Sequence, residues 1–189
     1  MASSPPTHPD WHSNPPANPL YRNWLLSEGS LTRLLKQLSD NQFHVQQVQE
    51  GWQPLRDDEC QALGSPNGSR GWVREVFLCG HQQPWIYARS VASHAALEQS
   101  GFDLPSLGSR SLGELLFSDP AFSRGAFQIC SLPPSAWPSA LRAVTPHTTA
   151  LWARRSCFVR NDLKILVAEA FLPTFWRQFT HHPVTPATH

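Results

Sequence analysis

Two pairs of strand-like runs constrain this chain more than any other feature. Trp72 to Cys79 and Trp85 to Val91 are rich in aromatic and β-branched residues and are separated only by Gly80-His81-Gln82-Gln83-Pro84, so they read as a β-hairpin. Leu151 to Arg160 and Leu163 to Leu172 form a second such pair around Asn161-Asp162. Phe43 to Trp52 reads as a further strand whose alternation breaks near Gln47, and Gly125 to Cys130 as another. Helical patterns fall between the strands in blocks. Tyr21 to Leu26 is one, and Leu31, Leu34, Leu35 and Leu38 behind Ser30 make an apolar stripe behind an N-cap. Ser111 to Phe117 is a third, with Ser111 and Glu114 spaced as a capping box. With no internal repeat and no strand–helix–strand alternation, the expected architecture is α+β, an antiparallel sheet with helices on one face.

The 189 residues suffice for one domain. Six prolines in the first twenty residues, and a polar composition after Phe179, mark residues 1–19 and 179–189 as disordered tails around a domain at 20–178. Residues 64–71 are a loop by composition, and residues 131–146, with four prolines, read as a surface excursion. A net charge of +1 gives no electrostatic footprint for nucleic acid. No apolar run reaches membrane-spanning length and no signal peptide is legible, so a cytoplasmic protein is expected. Cys60, Cys79, Cys130 and Cys157 are spaced neither as a disulfide framework nor as metal ligands, and read as reduced thiols serving as small hydrophobes. His8, His12, His181, His182 and His189 fall in the tails and His44, His81, His94 and His147 are scattered, so no metal site is expected.

Side chains alternate across a strand. Trp72, Arg74, Val76 and Leu78 therefore share one face, and Val73, Glu75, Phe77 and Cys79 the other. Both faces are largely apolar, so either Arg74 or Glu75 can be buried. In the last strand Glu169 stands alone among Leu163, Ile165, Val167 and Phe171. An unpaired buried charge is costly, so each must find a counter-charge or a ligand. Arg74 and Glu169 can pair with each other or with neighbours such as Arg89. Alternatively they line a pocket in which the guanidinium clamps a small carboxylate and the glutamate acts as base or hydroxyl acceptor. The Arg154-Arg155 pair reads as a solvated strand end, although one of the two must point inward. No nucleophile elbow and no phosphate-binding glycine loop is present. The eight tryptophans are spread along the chain as core and rim.

Six blocks then carry a resemblance. Residues 24–32 (WLLSEGSLT), 71–79 (GWVREVFLC), 84–91 (PWIYARSV), 111–117 (SLGELLF), 151–156 (LWARRS) and 168–173 (AEAFLP) resemble, in order and spacing, the chorismate pyruvate-lyase family of ubiquinone biosynthesis. The likeness covers roughly residues 20 to 175. It implies a six-stranded antiparallel sheet with helices packed on it, enclosing a buried ligand cavity, and a cofactor-independent conversion of chorismate to 4-hydroxybenzoate and pyruvate. It further implies Arg74 and Glu169 as catalytic residues, and Leu31, Arg74, Leu112 and Glu169 as the residues that hold the ring. Arg89 and Arg155 are candidates for the second carboxylate of chorismate. The protein is expected to act as a monomer, with no metal, cofactor or nucleic acid. The proline-rich start, the excursion around 131–147 and the histidine-containing end depart from the family pattern. The alternative is a non-catalytic sensor of small carboxylates, because the same type of sheet serves as the ligand-sensing domain of bacterial regulators. Residues 1–20 are too short and proline-rich for the helix-turn-helix such regulators carry. A protein-interaction domain would instead present a large exposed apolar patch.

Overall fold

The computed structural model of the chain describes residues 9–145 and 150–179. The C-terminal histidines and His147 lie outside the described residues. The chain opens with α1 (Pro19–Leu25), α2 (Leu31–Leu38), β1 (Phe43–Pro54) and α3 (Asp57–Leu63). The hairpin β2 (Arg70–Gly80) and β3 (Gln83–Ser93) leads into α4 (His94–Ser100), a 3-10 turn at Leu104–Leu107 and α5 (Leu112–Ser118). Next come β4 (Ser123–Arg124), β5 (Gln128–Leu132) and α6 (Ser139–Val144). The hairpin β6 (Leu151–Arg160) and β7 (Leu163–Phe171) follows, and α7 (Pro173–Trp176) closes the domain.

Both expected hairpins form. The first turns through His81 and Gln82, with φ of 49° and 62°, and the second through Asn161, with φ of 53°. Left-handed backbone of this kind matches the twist of the flanking strands. The sheet is antiparallel throughout, in the order β1-β2-β3-β7-β6, with β4 and β5 both on the outer edge of β6. It has seven strands where six were expected. The extra one arises because the edge is interrupted: β4 lies against Phe158 and Val159, and β5 against Leu151 to Arg155. The broken alternation near Gln47 is a register shift between Gln47 and Gln49, a bulge that turns the edge strand.

Helices cover both faces of the sheet and not one. On the first face α1, α2 and α7 pack on Val76, Leu78, Ile86, Ala88 and Phe171, while α4 and α5 pack on Ala92, Phe158 and Ile165. On the second face α3 sits on Val73, Val91 and Leu166, and α6 on Phe77, Tyr87 and Ala170. A sheet apolar on both sides needs both sides covered. Hence Arg74 and Glu75 are both buried, one on each face. The 131–146 segment corrects the expectation of a surface excursion, since Trp137 and Leu141 are buried in the second-face core. The proline-rich start, expected as a disordered tail, is extended from Pro9 and held to the domain. His12 and Ile129 exchange backbone hydrogen bonds of 3.0 and 2.7 Å, and Trp11 Nε1 donates to Asp58 Oδ2 at 3.1 Å. This covers the outer side of β5, an edge otherwise open to pairing. All four cysteines are free. Burial pushes the Cys79 and Cys130 thiols up to about 11 and about 12, so they stay protonated at neutral pH.

Candidate active site

The first face holds a charged pair in the middle of the sheet. Glu169 on β7 stands opposite Arg154 on β6, and Arg154 Nε donates to Glu169 Oε2 at 2.7 Å. Arg154 is 2% exposed. Its Nη1 donates to the carbonyls of Trp24, Leu25 and Ser27 at 3.1, 3.5 and 3.0 Å. These oxygens belong to the last turn of α1 and the loop beyond it, where a helix leaves its carbonyls unpaired and favours a cation. One guanidinium thus fixes α1 on the sheet and orients the glutamate.

A cavity opens around this pair. It is lined by Leu31, Thr32, Gly113, Leu116, Phe117, Arg124, Phe127, Arg154, Ser156, Phe158, Val167 and Glu169. Its roof is the start of α2 and of α5. Ser30 caps α2 by accepting from Arg33 N at 3.4 Å, and Ser111 caps α5 by accepting from Glu114 N at 3.3 Å. The two starts are joined by the 2.8 Å hydrogen bond between Thr32 Oγ1 and Ser111 Oγ. They come so close that a Cβ on Gly113 would stand 2.9 Å from Thr32 Oγ1. The reciprocal half of the expected capping box is replaced by an ion pair of Glu114 with Lys36 on α2, a second tie between the roof helices.

Arg124 reaches the cavity from β4. Its guanidinium lies 4.3 Å from the Phe127 ring centre and 5.2 Å from that of Phe117, and Arg154 lies 4.6 Å from Phe127. Burial first, and then the charge of Arg154, push the Arg124 guanidinium below its usual value, while Glu169 and Glu28 oppose that shift. Two cations and one carboxylate, Glu169, thus line the same cavity.

Of the residues expected from sequence, Leu31 and Glu169 line this cavity, and Leu112 adjoins it through Gly113. Arg74 is on the same face of the sheet, 2% exposed, but two strands away from Glu169. It pairs with neither Glu169 nor Arg89. Its Nη1 meets both Glu50 oxygens at 3.3 Å and donates to Gly108 O at 2.6 Å, and Nη2 donates to Arg110 O at 3.0 Å. Arg74 therefore holds the loop that enters α5, whose first residue is Leu112.

The second face corrects three expectations. Arg154 and Arg155 are not a solvated strand end, for both are buried, on opposite faces. Arg89 and Arg155, offered for a second carboxylate, both face away from the Glu169 side chain. Arg89 donates to Glu59 at 2.6 and 3.0 Å and to Glu75 at 2.6 Å. Arg155 donates to Asp58 Oδ2 and to Gln128 Oε1, each at 2.8 Å, with the Trp11 ring 4.6 Å away. A larger cavity does lie on this face, between Trp11, Tyr87, Leu132, Pro138 and Arg155. Its buried cations are paired, Arg89 with Glu59 and Glu75 and Arg155 with Asp58, and Arg56 and Glu169 also reach its wall. The smaller cavity with surplus positive charge is the better place for an anionic ligand. Among the described residues no group of three or more His, Cys, Asp or Glu is placed to hold a metal.

Sequence reasoning missed Arg154 and Arg124. A signal for the first existed: Arg154 lies opposite Glu169 once the hairpin register through Asn161-Asp162 is written out. Arg124 sits on a two-residue strand with no periodicity to read.

Comparison with solved structures shows the fold, and comparison of sequences shows the family. The fold is shared with the C-terminal domain of the histidine utilization repressor from Pseudomonas syringae pv. tomato, at 8% identity and a TM-score of 0.58 over 78% of this chain and 99% of that one. A GntR-family transcriptional regulator from Bacillus cereus is similar at 10% identity and a TM-score of 0.55, over 70% and 93%. At such identities the likeness is one of fold alone. Proteins named probable chorismate pyruvate-lyase are far nearer in sequence. One from Pseudomonas aeruginosa (strain UCBPP-PA14) is 56% identical over 161 residues, 85% of this chain and 88% of that protein. One from Pseudomonas putida is 59% identical over 155 residues, 82% and 81%. The family model described as chorismate lyase matches residues 10–181, and the chain belongs to the chorismate lyase family.

Proposed function

We propose that this chain converts chorismate into 4-hydroxybenzoate and pyruvate in the cavity beneath α2 and α5. The observation that carries the reading is the environment of Glu169: one carboxylate, two guanidinia and a wall of Leu31, Leu116, Phe117, Phe127 and Phe158. Such a space suits a ring with anionic substituents.

The reaction is an elimination. The ether bond between the ring and the enolpyruvyl oxygen breaks, the neighbouring carbon that bears the hydroxyl loses its proton, and the ring becomes aromatic. The released enolpyruvate tautomerises to pyruvate. Aromatisation drives the chemistry, so the protein has to orient the diene and accommodate moving charge. Glu169 accepts the ring hydroxyl or takes the adjacent carbon-bound proton, and Arg154 holds its carboxylate in place. Arg74 anchors the ring carboxylate when the Gly108 and Arg110 carbonyls yield its guanidinium to the ligand. The arrangement across the sheet supports this, because Arg74 and Glu169 are two strand spacings apart, roughly 10 Å. A ring with carboxylate and hydroxyl at opposite ends reaches toward both. Leu31 and Leu112 enclose the ring as α2 and α5 close over it.

A pocket that fits an aromatising transition state also fits the aromatic product, so product release is slow. The substrate is a small soluble dianion and the work is done by a monomer in the cytoplasm, without nucleic acid. In support of the monomer, the large hydrophobic residues exposed among those described are only Trp52, Phe117 and Val144, too scattered for an interface. The test is to incubate purified protein with chorismate and follow 4-hydroxybenzoate and pyruvate by chromatography. Stoichiometric appearance of both is expected; if neither forms, the lyase reading fails and a sensor of small carboxylates takes its place.

A further inference from the structure

Chorismate carries two carboxylates, and the roles above provide for the one on the ring. Resting on that reading, we propose that Arg124 is the specificity residue that receives the enolpyruvyl carboxylate of the substrate. It is the charged group of the cavity with the least protein company. Among the described residues no carboxylate stands within ion-pair distance of it, and its one hydrogen bond is from Nη2 to the Glu28 carbonyl. The Glu28 carboxylate acts on it only at longer range. Arg154, by contrast, spends its Nε on Glu169 and its Nη1 on three carbonyls.

The placement of Arg124 serves an anion. Phe117 and Phe127 lie against its guanidinium, so its orientation is fixed by rings that accept no hydrogen bond through a lone pair. The N–H edge is left for a carboxylate, which a guanidinium can bind through two parallel hydrogen bonds. Arg124 and Arg154 both adjoin the Phe127 ring, and the cavity they line holds one carboxylate, Glu169, which is bonded to Arg154. The surplus charge of about +1 in this half-buried space is removed when a second carboxylate enters. Position agrees with role: Arg124 and Glu169 line the same cavity, so an ether side chain on the carbon beside the hydroxyl-bearing one projects within it. The Glu28 carbonyl occupies one donor in the empty protein. It belongs to the loop between α1 and α2, which links substrate capture to the position of the roof.

The product lacks this carboxylate, and that makes the proposal testable separately from the lyase reading. In Arg124→Ala the KM for chorismate should rise roughly 10- to 100-fold, as expected for the loss of a charge-assisted contact. The affinity for 4-hydroxybenzoate, read by tryptophan fluorescence or competitive inhibition, should change less than about threefold. Arg124→Lys should recover part of the loss and Arg124→Met none. If chorismate and 4-hydroxybenzoate weaken in parallel, Arg124 only supports the cavity and the proposal is overturned. An unchanged KM in Arg124→Ala overturns it as well. If the wild-type protein makes no product at all, the lyase reading has failed and this proposal falls with it.

Discussion

Both faces of the sheet bury arginines, and they partner them differently. On the second face Arg89 and Arg155 are enclosed by Glu59, Glu75 and Asp58, and each of these two buried cations has an anion against it. On the first face Arg154 takes Glu169, and among the described residues Arg124 has no carboxylate within ion-pair distance. Burial therefore does not separate structural from functional charge here. The balance of charge does, because a closed network is complete without a ligand and an open one is not. Arg74, with Glu50 and two carbonyls, belongs to the first face but is satisfied in the empty protein. The part in binding proposed for it requires those carbonyls to let go.

The largest effect that would sharpen this contrast is on stability. Arg89→Met leaves Glu59 and Glu75 buried without their cation and should cost about 3–5 kcal/mol in urea unfolding. Activity per folded molecule should stay within about threefold of wild type. A loss of turnover in molecules that remain folded would bring the second face into the chemistry. Next, Glu169→Gln should lower kcat by about 10²-fold or more in the molecules that stay folded, and lower the urea midpoint too, because the buried Arg154 loses its counter-charge. Retained activity would remove Glu169 from the reaction.

Smaller effects follow from the roof and from the paired carboxylates. Gly113→Ala places a Cβ against Thr32 Oγ1 and must part the starts of α2 and α5, at a cost of about 1–2 kcal/mol. Product release should quicken with it, visible as a raised inhibition constant for 4-hydroxybenzoate. Burial alone would raise the carboxyl of Glu59, but the hydrogen bond and charge of Arg89, with the Arg56 amide, hold it below its ordinary 4.5. A depressed value means that this contribution is complete above 4.5 and is lost as pH falls through the lower folded value. Acid titration of stability should show that loss, and Glu59→Gln should remove it.

Much of this contrast was readable before folding. Strand-like runs joined by a five-residue connection and by Asn161-Asp162 placed both hairpins, and Glu169, alone in an apolar row, lines the cavity. Ser30 and Ser111 marked the two helix starts that roof it. What alternation cannot supply is pairing between distant strands. The partners of Arg74 and Glu169 depend on the β1–β2 and β6–β7 registers and on backbone carbonyls of loops. The second-face helices were missed because α3 is a short acidic stretch, Asp57, Asp58 and Glu59, ahead of few apolar residues. Trp137 and Leu141 were hidden by the prolines around them. Prolines describe the local path of a chain and say nothing about whether the residues between them are buried.

The proposed ligand position is on the Glu169 face, between the sheet and the starts of α2 and α5. A crystal structure with 4-hydroxybenzoate tests it most directly. The ring is expected between Leu31 and Leu112, its hydroxyl against Glu169 and its carboxylate on Arg74 freed from Gly108 and Arg110. A ring found instead on the other side of the sheet, beside Tyr87 and Arg155, would contradict it.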